Sequence, residues 1–393
     1  MSDPRAAGDD VVAKLGDVAA AAGLRRIAIL AWRDLDDPEA GGSEIHASNV
    51  AALWGQAGIE VTMRTSHAPG KAQVSWRDGY RVIRKAGRYM VFPRAAFSEM
   101  MGWHGASDGL VEIWNGMPFF SPVWARRPSV TWVHHVHDTM WEMTLPPRLA
   151  RVGRTIEFRV APPLYRRTPI VTLSDSSKRE LVDRLKFSSG QVHVVSPGVD
   201  PRFTPGGDKS PVPLVLAVGR LVPVKRLHAL VEALAACRVR HPELRAVVVG
   251  EGYERERLES LRHELRAEQW LALPGWVSNA ELIGLYRSAW VVASTSAHEG
   301  WGMTLTEAAA CGTPAVASRI PGHEDAVHDE VSGLLVDDGA GFAVALDRLL
   351  ADHPLRARLA AGARERAGQL TWGATARGTL DVLAAEALRR RSP

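Results

Sequence analysis

Residues 291–318 read VVASTSAHEGWGMTLTEAAACGTPAVAS. A short apolar run opens the stretch. A turn-prone loop follows, with Gly300 and Gly302, and then an Ala-rich segment closed by Gly312 and Pro314. A second apolar run, AVAS, ends it. Short apolar runs bounded by Gly and Pro predict buried strands, and the Ala-rich segment between them predicts a helix. Strand, helix, strand in so short a span implies a parallel sheet.

The pattern extends outward in both directions. Upstream lie strand LVLAVG, helix LHALVEALAACRV, strand RAVVVG, helix RERLESLRHELRA, strand WLALPG and helix NAELIGLYRSA; downstream lie strand GLLV and long C-terminal helices. The N-terminal half repeats the alternation. Helix Asp10–Ala22 leads into RRIAILAW, helix 43–57 and EVTMRTS, and YRVI, GLVEIW, SVTWVH, PIVTLS and QVHVVS read as further strands. Between the last two, DSSKRELVDRL reads as a helix with Asp175 or Ser176 as cap. The two runs are separated by PGVDPRFTPGGDKSPVP (197–213), with five prolines and three glycines, the best linker candidate. Alternating strands and helices in two runs predict an α/β chain of two doubly wound domains.

A chain of 393 residues accommodates two such domains. Two cysteines exclude a disulfide framework and suit a reducing compartment. The opening residues, MSDPRAAGDD, lack the apolar core of a signal peptide, and no apolar run is long enough to span a bilayer. These features predict a cytoplasmic protein. A net charge of +4 with no Lys/Arg block argues against nucleic acid. Two local basic surpluses stand out, RVIRKAGRYMVFPR (81–94) and RLARVGRTIEFRVAPPLYRR (148–167). They suit a solvated face, an anionic membrane surface at its inner side or an anionic substrate.

Ligands of doubly wound sheets bind beyond the carboxyl ends of the strands, so chemistry is sought just after each strand. Glu299 follows the strand at 290–295. The next helix, predicted to start near Thr304 or Leu305, aims its free N–H groups and positive dipole end at the same place. Such a start favours phosphate. Glu307, predicted in the first turn, is placed to bind hydroxyls beside it. Two hydroxyl-binding carboxylates around an anion site describe a sugar nucleotide. The plainer alternative leaves Glu299 solvated and Glu307 as a residue that favours its helix start.

VGRLVPVKRL (218–227) places Arg220 and Lys225 on the same edge, a fork and a point charge suited to a diphosphate. PEAGGSE (38–44) follows the first strand. There Gly41 and Gly42 would present backbone N–H groups, and Ser43 would cap the helix. WVHHVHD (132–138) invites a metal reading, but a histidine hydrogen-bonding the substrate and passing protons at near-neutral pKa fits better. Asp34-Leu-Asp36 is a weak match to a metal–nucleotide pair. The segment 323–328 is one residue too long for a zinc-protease helix, and Gly250-Glu251-Gly252 lacks the third glycine of a dinucleotide fingerprint.

Taken together these residues resemble the family 4 retaining glycosyltransferases, over nearly the whole chain. The carriers are Glu299-x7-Glu307 with Gly302 and GTP at 312–314, VGRLVPVKRL, VVVGEGYERERLE, PGWVSNAELIGLYRSA, VSGLLVDD, AGGSEIHASNVAALWGQAGIEVT and SPGVDPRF. Pro197 stands where the family usually has Asn, a departure that touches the linker only. The resemblance implies the GT-B fold, two Rossmann-like domains facing each other across a cleft. It implies an acceptor-binding domain at 1–203, a nucleotide-sugar-binding domain at 204–370, and a terminal helix at 371–393 packing back toward the first.

It also implies roles. Arg220, Lys225, Glu299 and His134 would be catalytic, with His135 and His137 competing for the last position. Gly42, Gly219, Gly302, Met303, Thr304, Leu305, Glu307 and Val277 would bind the donor, with Trp276 beside the base pocket. The expected reaction moves a hexosyl group from a nucleoside diphosphate sugar to an acceptor hydroxyl, with retention and without metal or other cofactor. The acceptor would be a glycan, a lipid-linked sugar or a small natural product. A GT-B epimerase is the alternative. A glycosidase is disfavoured because phosphate-binding features surround the carboxylates, and a non-catalytic nucleotide-sugar binder is a third class.

Overall fold

The computed structural model describes residues 4–138, 140–337 and 339–391. Its contacts divide into two units, Met1–Gly198 with Trp372–Pro393, and Val199–Thr371.

The first unit is built on eight strands: β1 (Arg26–Leu30), β2 (Glu60–Thr65), β3 (Val74–Arg77), β4 (Tyr80–Arg84), β5 (Gly109–Trp114), β6 (Ser129–Val133), β7 (Ile170–Thr172) and β8 (Val192–Val194). Their order is β3-β4-β2-β1-β5-β6-β7-β8, parallel except for β3 against β4. Both faces are covered, and β1 shows how. Ile27 and Ile29 enter a core with Leu15, Val50, Trp54 and Leu380, whereas Ala28 and Leu30 enter another with Val91, Ala95 and Phe119. A strand buried on two faces needs a continuous apolar run rather than alternation, which is why RRIAILAW is legible.

Strand β3 is absent from the sequence reading. Its apolar residues, Val74 and Trp76, are the exposed ones, and Ser75 and Arg77 are half-buried, so its alternation marks no buried apolar face. The signal that would have found it is Asp78-Gly79. Both have positive φ (45° and 90°), as a two-residue hairpin turn requires.

The terminal helix Trp372–Arg391 belongs to this first unit. It buries Ala376, Leu380 and Leu383 beside the helix Gly42–Gln56, and Trp54 Nε1 donates to the Ala376 carbonyl at 3.0 Å.

The second unit has six parallel strands: β9 (Leu214–Val218), β10 (Arg245–Val249), β11 (Leu271–Gly275), β12 (Val291–Ser294), β13 (Ala315–Ser318) and β14 (Gly333–Val336). Their order is β11-β10-β9-β12-β13-β14. The chain runs outward from β9 in one direction and from β12 in the other, so the switch point of the sheet lies between those two strands. The proline-rich stretch after Gly198 is docked on this unit. Lys209 Nζ donates to the Ala289 carbonyl and the Thr313 hydroxyl, Arg287 Nε to the Thr204 carbonyl, and Trp290 Nε1 to the Ser210 carbonyl.

Candidate functional site

Arg220 follows β9 and Glu299 follows β12, on either side of the switch point. Two loops build the place between them. After Gly219 and Arg220, a 3-10 turn, Pro223–Lys225, ends at Arg226 in the left-handed region (φ 49°). The loop after β12 is tied to that turn. Ala297 N–H donates to the Val224 carbonyl at 2.8 Å, and the Thr295 hydroxyl donates to the carbonyls of Lys225 and Arg226 at 3.0 Å each. This lacing holds Lys225 against Glu299, whose Oε1 accepts from Lys225 Nζ and, at 2.8 Å, from the Ser296 hydroxyl.

Burial by itself pushes the Glu299 carboxyl up, but Lys225 and then the buried His323 outweigh it and hold the carboxyl down at about 2. Glu299 is therefore ionised at any working pH and pre-pairs Lys225 close to where a phosphate would sit. His323 is fully buried, with Nδ1 on the Ser318 carbonyl (2.9 Å) and Nε2 toward the Ser294 hydroxyl (3.4 Å). Burial keeps it below its ordinary pKa. The sequence reading met His323 only as a failed zinc motif.

The helix after this loop is Met303–Ala310, capped by Gly302 at φ 114°, ψ 56°. It starts a residue or two earlier than predicted, so Glu307 lies one turn in rather than in the first turn. The cause is Gly302: a residue free to take a left-handed φ lets the helix begin at once. A side chain there would also press on the His323 ring. Glu307 Oε2 accepts from the buried Tyr286 hydroxyl at 2.9 Å. Burial, only partly opposed by that hydrogen bond and reinforced by Asp200, raises its carboxyl to about 7. The two glutamates of the opening motif thus differ by several pH units in ionisation.

A further element holds the Arg220 loop in place. The Gly219 N–H donates to the Val249 carbonyl and the Leu221 N–H to the Glu251 carbonyl. A Cβ at Gly250 (φ 137°) would overlap the Gly219 carbonyl. The Gly-Glu-Gly stretch, unexplained as a dinucleotide fingerprint, lets β10 approach this loop. Gly250→Ala is expected to destabilise the protein by about 2–4 kcal/mol, since strain and backbone overlap both apply; urea denaturation measures it. Farther along the same edge, Trp276 is exposed and Val277 half-buried, just past β11.

In the first unit, Gly41 is the N-cap and Gly42 the first residue of the helix Gly42–Gln56. Ser43 is not the cap. Buried Glu44 fills that role by accepting from the Gly41 N–H at 2.7 Å, and it also accepts from Arg33 Nε and the Ser43 hydroxyl. Asn115, past β5, reaches the Ser43 hydroxyl at 3.3 Å.

His134, past β6, is buried, and its Nε2 lies 3.2 Å from His46 Nδ1. Burial takes His134 down to about 4, with Glu44 pulling weakly the other way. A histidine at about 4 is a weaker base than the ordinary imidazole that the sequence analysis assumes. Among the described residues nothing partners His134 Nδ1 or His46 Nε2. His135 and His137 stack at 4.6 Å, and buried Glu157 pins their loop through the N–H groups of His137 and Asp138.

Asp34 and Asp36 both accept from the buried Arg84, and Asp36 also pairs with Arg77. That ion cluster explains the acidic pair without a metal.

Comparison with known proteins agrees with the fold and with the family resemblance. The pattern described as "Glycosyltransferase Family 4" matches residues 40–203, and that of "Glycosyl transferases group 1" matches residues 203–366. A D-inositol 3-phosphate glycosyltransferase of Salinispora arenicola is 38% identical over 241 residues, 54% of each chain. The match therefore spans about half the length of that relative. Among solved structures, sucrose-phosphate synthase from Thermosynechococcus elongatus superposes with a TM-score of 0.77 at 22% identity, covering 90% of this chain and 97% of its own. HepE of Anabaena, solved with UDP-glucose, superposes at 0.71 and 20% identity, covering 93% and 99%. These neighbours share the GT-B fold.

Proposed function

This chain belongs to the family 4 glycosyltransferases, and we propose that it moves a hexosyl group from a nucleoside diphosphate sugar to an acceptor hydroxyl, with retention of configuration. The observation that carries the reading is the laced pair of loops at the switch point of the second sheet. There Lys225 pairs with Glu299, whose carboxyl is held well below the usual range, with Arg220 just past β9 and a helix starting at Met303.

Departure of the nucleoside diphosphate builds negative charge on the leaving oxygen. Lys225 Nζ, the Arg220 guanidinium and the N–H groups of Met303, Thr304 and Leu305 would stabilise it as it develops. Glu299 would accept hydrogen bonds from donor hexose hydroxyls and Glu307 from the ribose hydroxyls. Val277, with Trp276, would border the base, and Gly219 leaves the diphosphate room beside Arg220. With the cationic groups supplied by the chain, no metal or other cofactor enters this reading. The reported relatives and neighbours lend an epimerase no support.

The acceptor is proposed as a glycan, a lipid-linked sugar or a small natural product. Inositol phosphates come first for trial, given the name of the Salinispora relative. Peripheral contact with the inner face of a membrane is part of this reading, since a lipid-linked acceptor would be met there. Among the described residues no helix is long and apolar enough to cross a membrane.

The test is a panel of nucleoside diphosphate sugars followed by thermal shift, with UDP-glucose included. A binder at a hundredfold its Kd should stabilise by about 2.7 kcal/mol. Nucleoside diphosphate release with acceptor, and none with donor alone, is the expected turnover. Absence of a stabilising donor would sink the reading. Excess chelator should leave the rate unchanged; abolition would show that a metal carries charge here.

A further inference from the structure

One face of the first sheet is covered by the helix Val91–Met100, the short helix Ser121–Trp124 and a continuous helical segment from Pro147 to Tyr165. The short helix packs against the other two, so they form one layer. Its inner side is ordinary core, with Val91, Ala95, Ala161 and Tyr165.

Its outer side is not an ordinary polar coat. Tyr89, Met90, Phe97, Met100, Met101 and Trp103 are each between 50% and 71% exposed, within fifteen residues of chain. Phe97 and Trp103 touch edge to face at 5.3 Å. Val123 on the short helix and Leu149, Val152 and Leu164 on the long segment continue the apolar exposure. A soluble surface scatters such residues singly, whereas a contiguous patch marks something that covers it.

Interleaved with them are Arg94, Arg148, Arg151, Arg159, Arg166 and Arg167, all exposed. Among the described residues none of these six pairs with a carboxylate. The acids of the layer are otherwise engaged. Glu99 is buried against Arg64 and Arg127, Glu157 is buried on backbone N–H groups, and Glu142 pairs with Arg154.

We propose that this layer docks on an anionic lipid bilayer, with the aromatic and methionine side chains entering the headgroup boundary and the arginines meeting lipid phosphates. The proposal builds on the membrane contact in the reading above and names the surface that makes it. Charge complementarity selects the occupant. A second copy would set arginine against arginine across a two-fold contact, and a soluble polyanion would leave the apolar row uncovered.

The experiment is sedimentation of the full chain with vesicles of phosphatidylcholine alone or with 30% phosphatidylglycerol. Binding is expected to the anionic vesicles only, and to weaken at 1 M salt, where screening makes the attraction short-ranged. Each surface arginine contributes about fivefold in partitioning. Charge reversal in Arg151→Glu, Arg159→Glu, Arg166→Glu is therefore expected to lower partitioning by about a hundredfold or more. A separate variant, Met100→Ser, Met101→Ser, Trp103→Ser, should lose binding as well. Both variants should keep the wild-type response to donor in thermal shift, which separates loss of docking from loss of fold and from failure of the transferase reading. Equal binding to neutral vesicles would overturn the proposal, as would no binding at all. A wild-type dimer that the serine variant dissociates, without vesicle binding, would give the surface to a second copy instead.

Discussion

Lys225→Ala is expected to lower kcat/KM for glycosyl transfer by about 10²- to 10³-fold, the range seen when one preorganised donor to a developing oxyanion is removed. The loss should fall mainly on kcat, because charge on the leaving oxygen is larger in the transition state than in the bound donor. The same substitution acts on Glu299. Its carboxyl lies near 2 because Lys225 and His323 outweigh burial. Removing Lys225 leaves a largely enclosed carboxylate with one partner fewer, so its pKa rises. The sign follows from the depressed value. Stability from this pair is present above the unfolded carboxyl pKa of 4.5 and lost as pH falls toward 2. The variant should be less stable than wild type at pH 7, and the gap should narrow toward pH 3 in urea melts. Wild-type turnover in Lys225→Ala would remove this residue from the diphosphate role. A gap that stays constant with pH would remove the ion pair from the stability argument.

What the sequence disclosed and what it hid follow one physical division. The buried parallel strands were legible because two-sided burial demands unbroken apolar runs, as in RRIAILAW and LVLAVG. The loops after β9 and β12 were legible because charge, Gly and Pro occur together at strand ends. Hidden were features whose signal depends on a partner distant in sequence. β3 buries no apolar stripe, and its pairing with β4 makes it a strand. His323 is twenty-four residues beyond Glu299, and only the crossover between β12 and β13 returns it beneath the loop. Asp34 and Asp36 look like metal ligands until Arg84 arrives from β4 to neutralise both. Glu44 displaced Ser43 as helix cap because a buried carboxylate shared with Arg33 answers more donors than one hydroxyl does. The basic stretch at 148–167 was visible as charge, but its helix was not.

The ionisation of Glu307 leads to the second large effect, a proton released when a nucleoside diphosphate sugar binds. The carboxyl lies near 7 because burial outweighs the single hydrogen bond from Tyr286. Here the sign is opposite to that of Glu299. A carboxyl raised in the folded state favours folding below its unfolded value of 4.5, and that contribution is lost as pH rises through about 7. Glu307→Gln should therefore be more stable than wild type at pH 8, by about 2–3 kcal/mol, with little difference at pH 4. Ribose hydroxyls, if they donate to this carboxyl as proposed, favour its ionised form. Binding should draw the pKa down and release up to one proton per site near pH 6, and almost none at pH 8.5. Calorimetry of the binding of a nucleoside diphosphate sugar, whose diester-linked phosphates carry no proton that titrates near pH 6, in buffers of different ionisation enthalpy reads that number directly. The Gln variant should release no proton and bind about 10- to 100-fold more weakly at pH 8, the loss expected when charge-assisted hydrogen bonds of about 1.5–3 kcal/mol become neutral ones. Proton uptake by wild type, or release that persists in Glu307→Gln, would mean that another group faces the ribose.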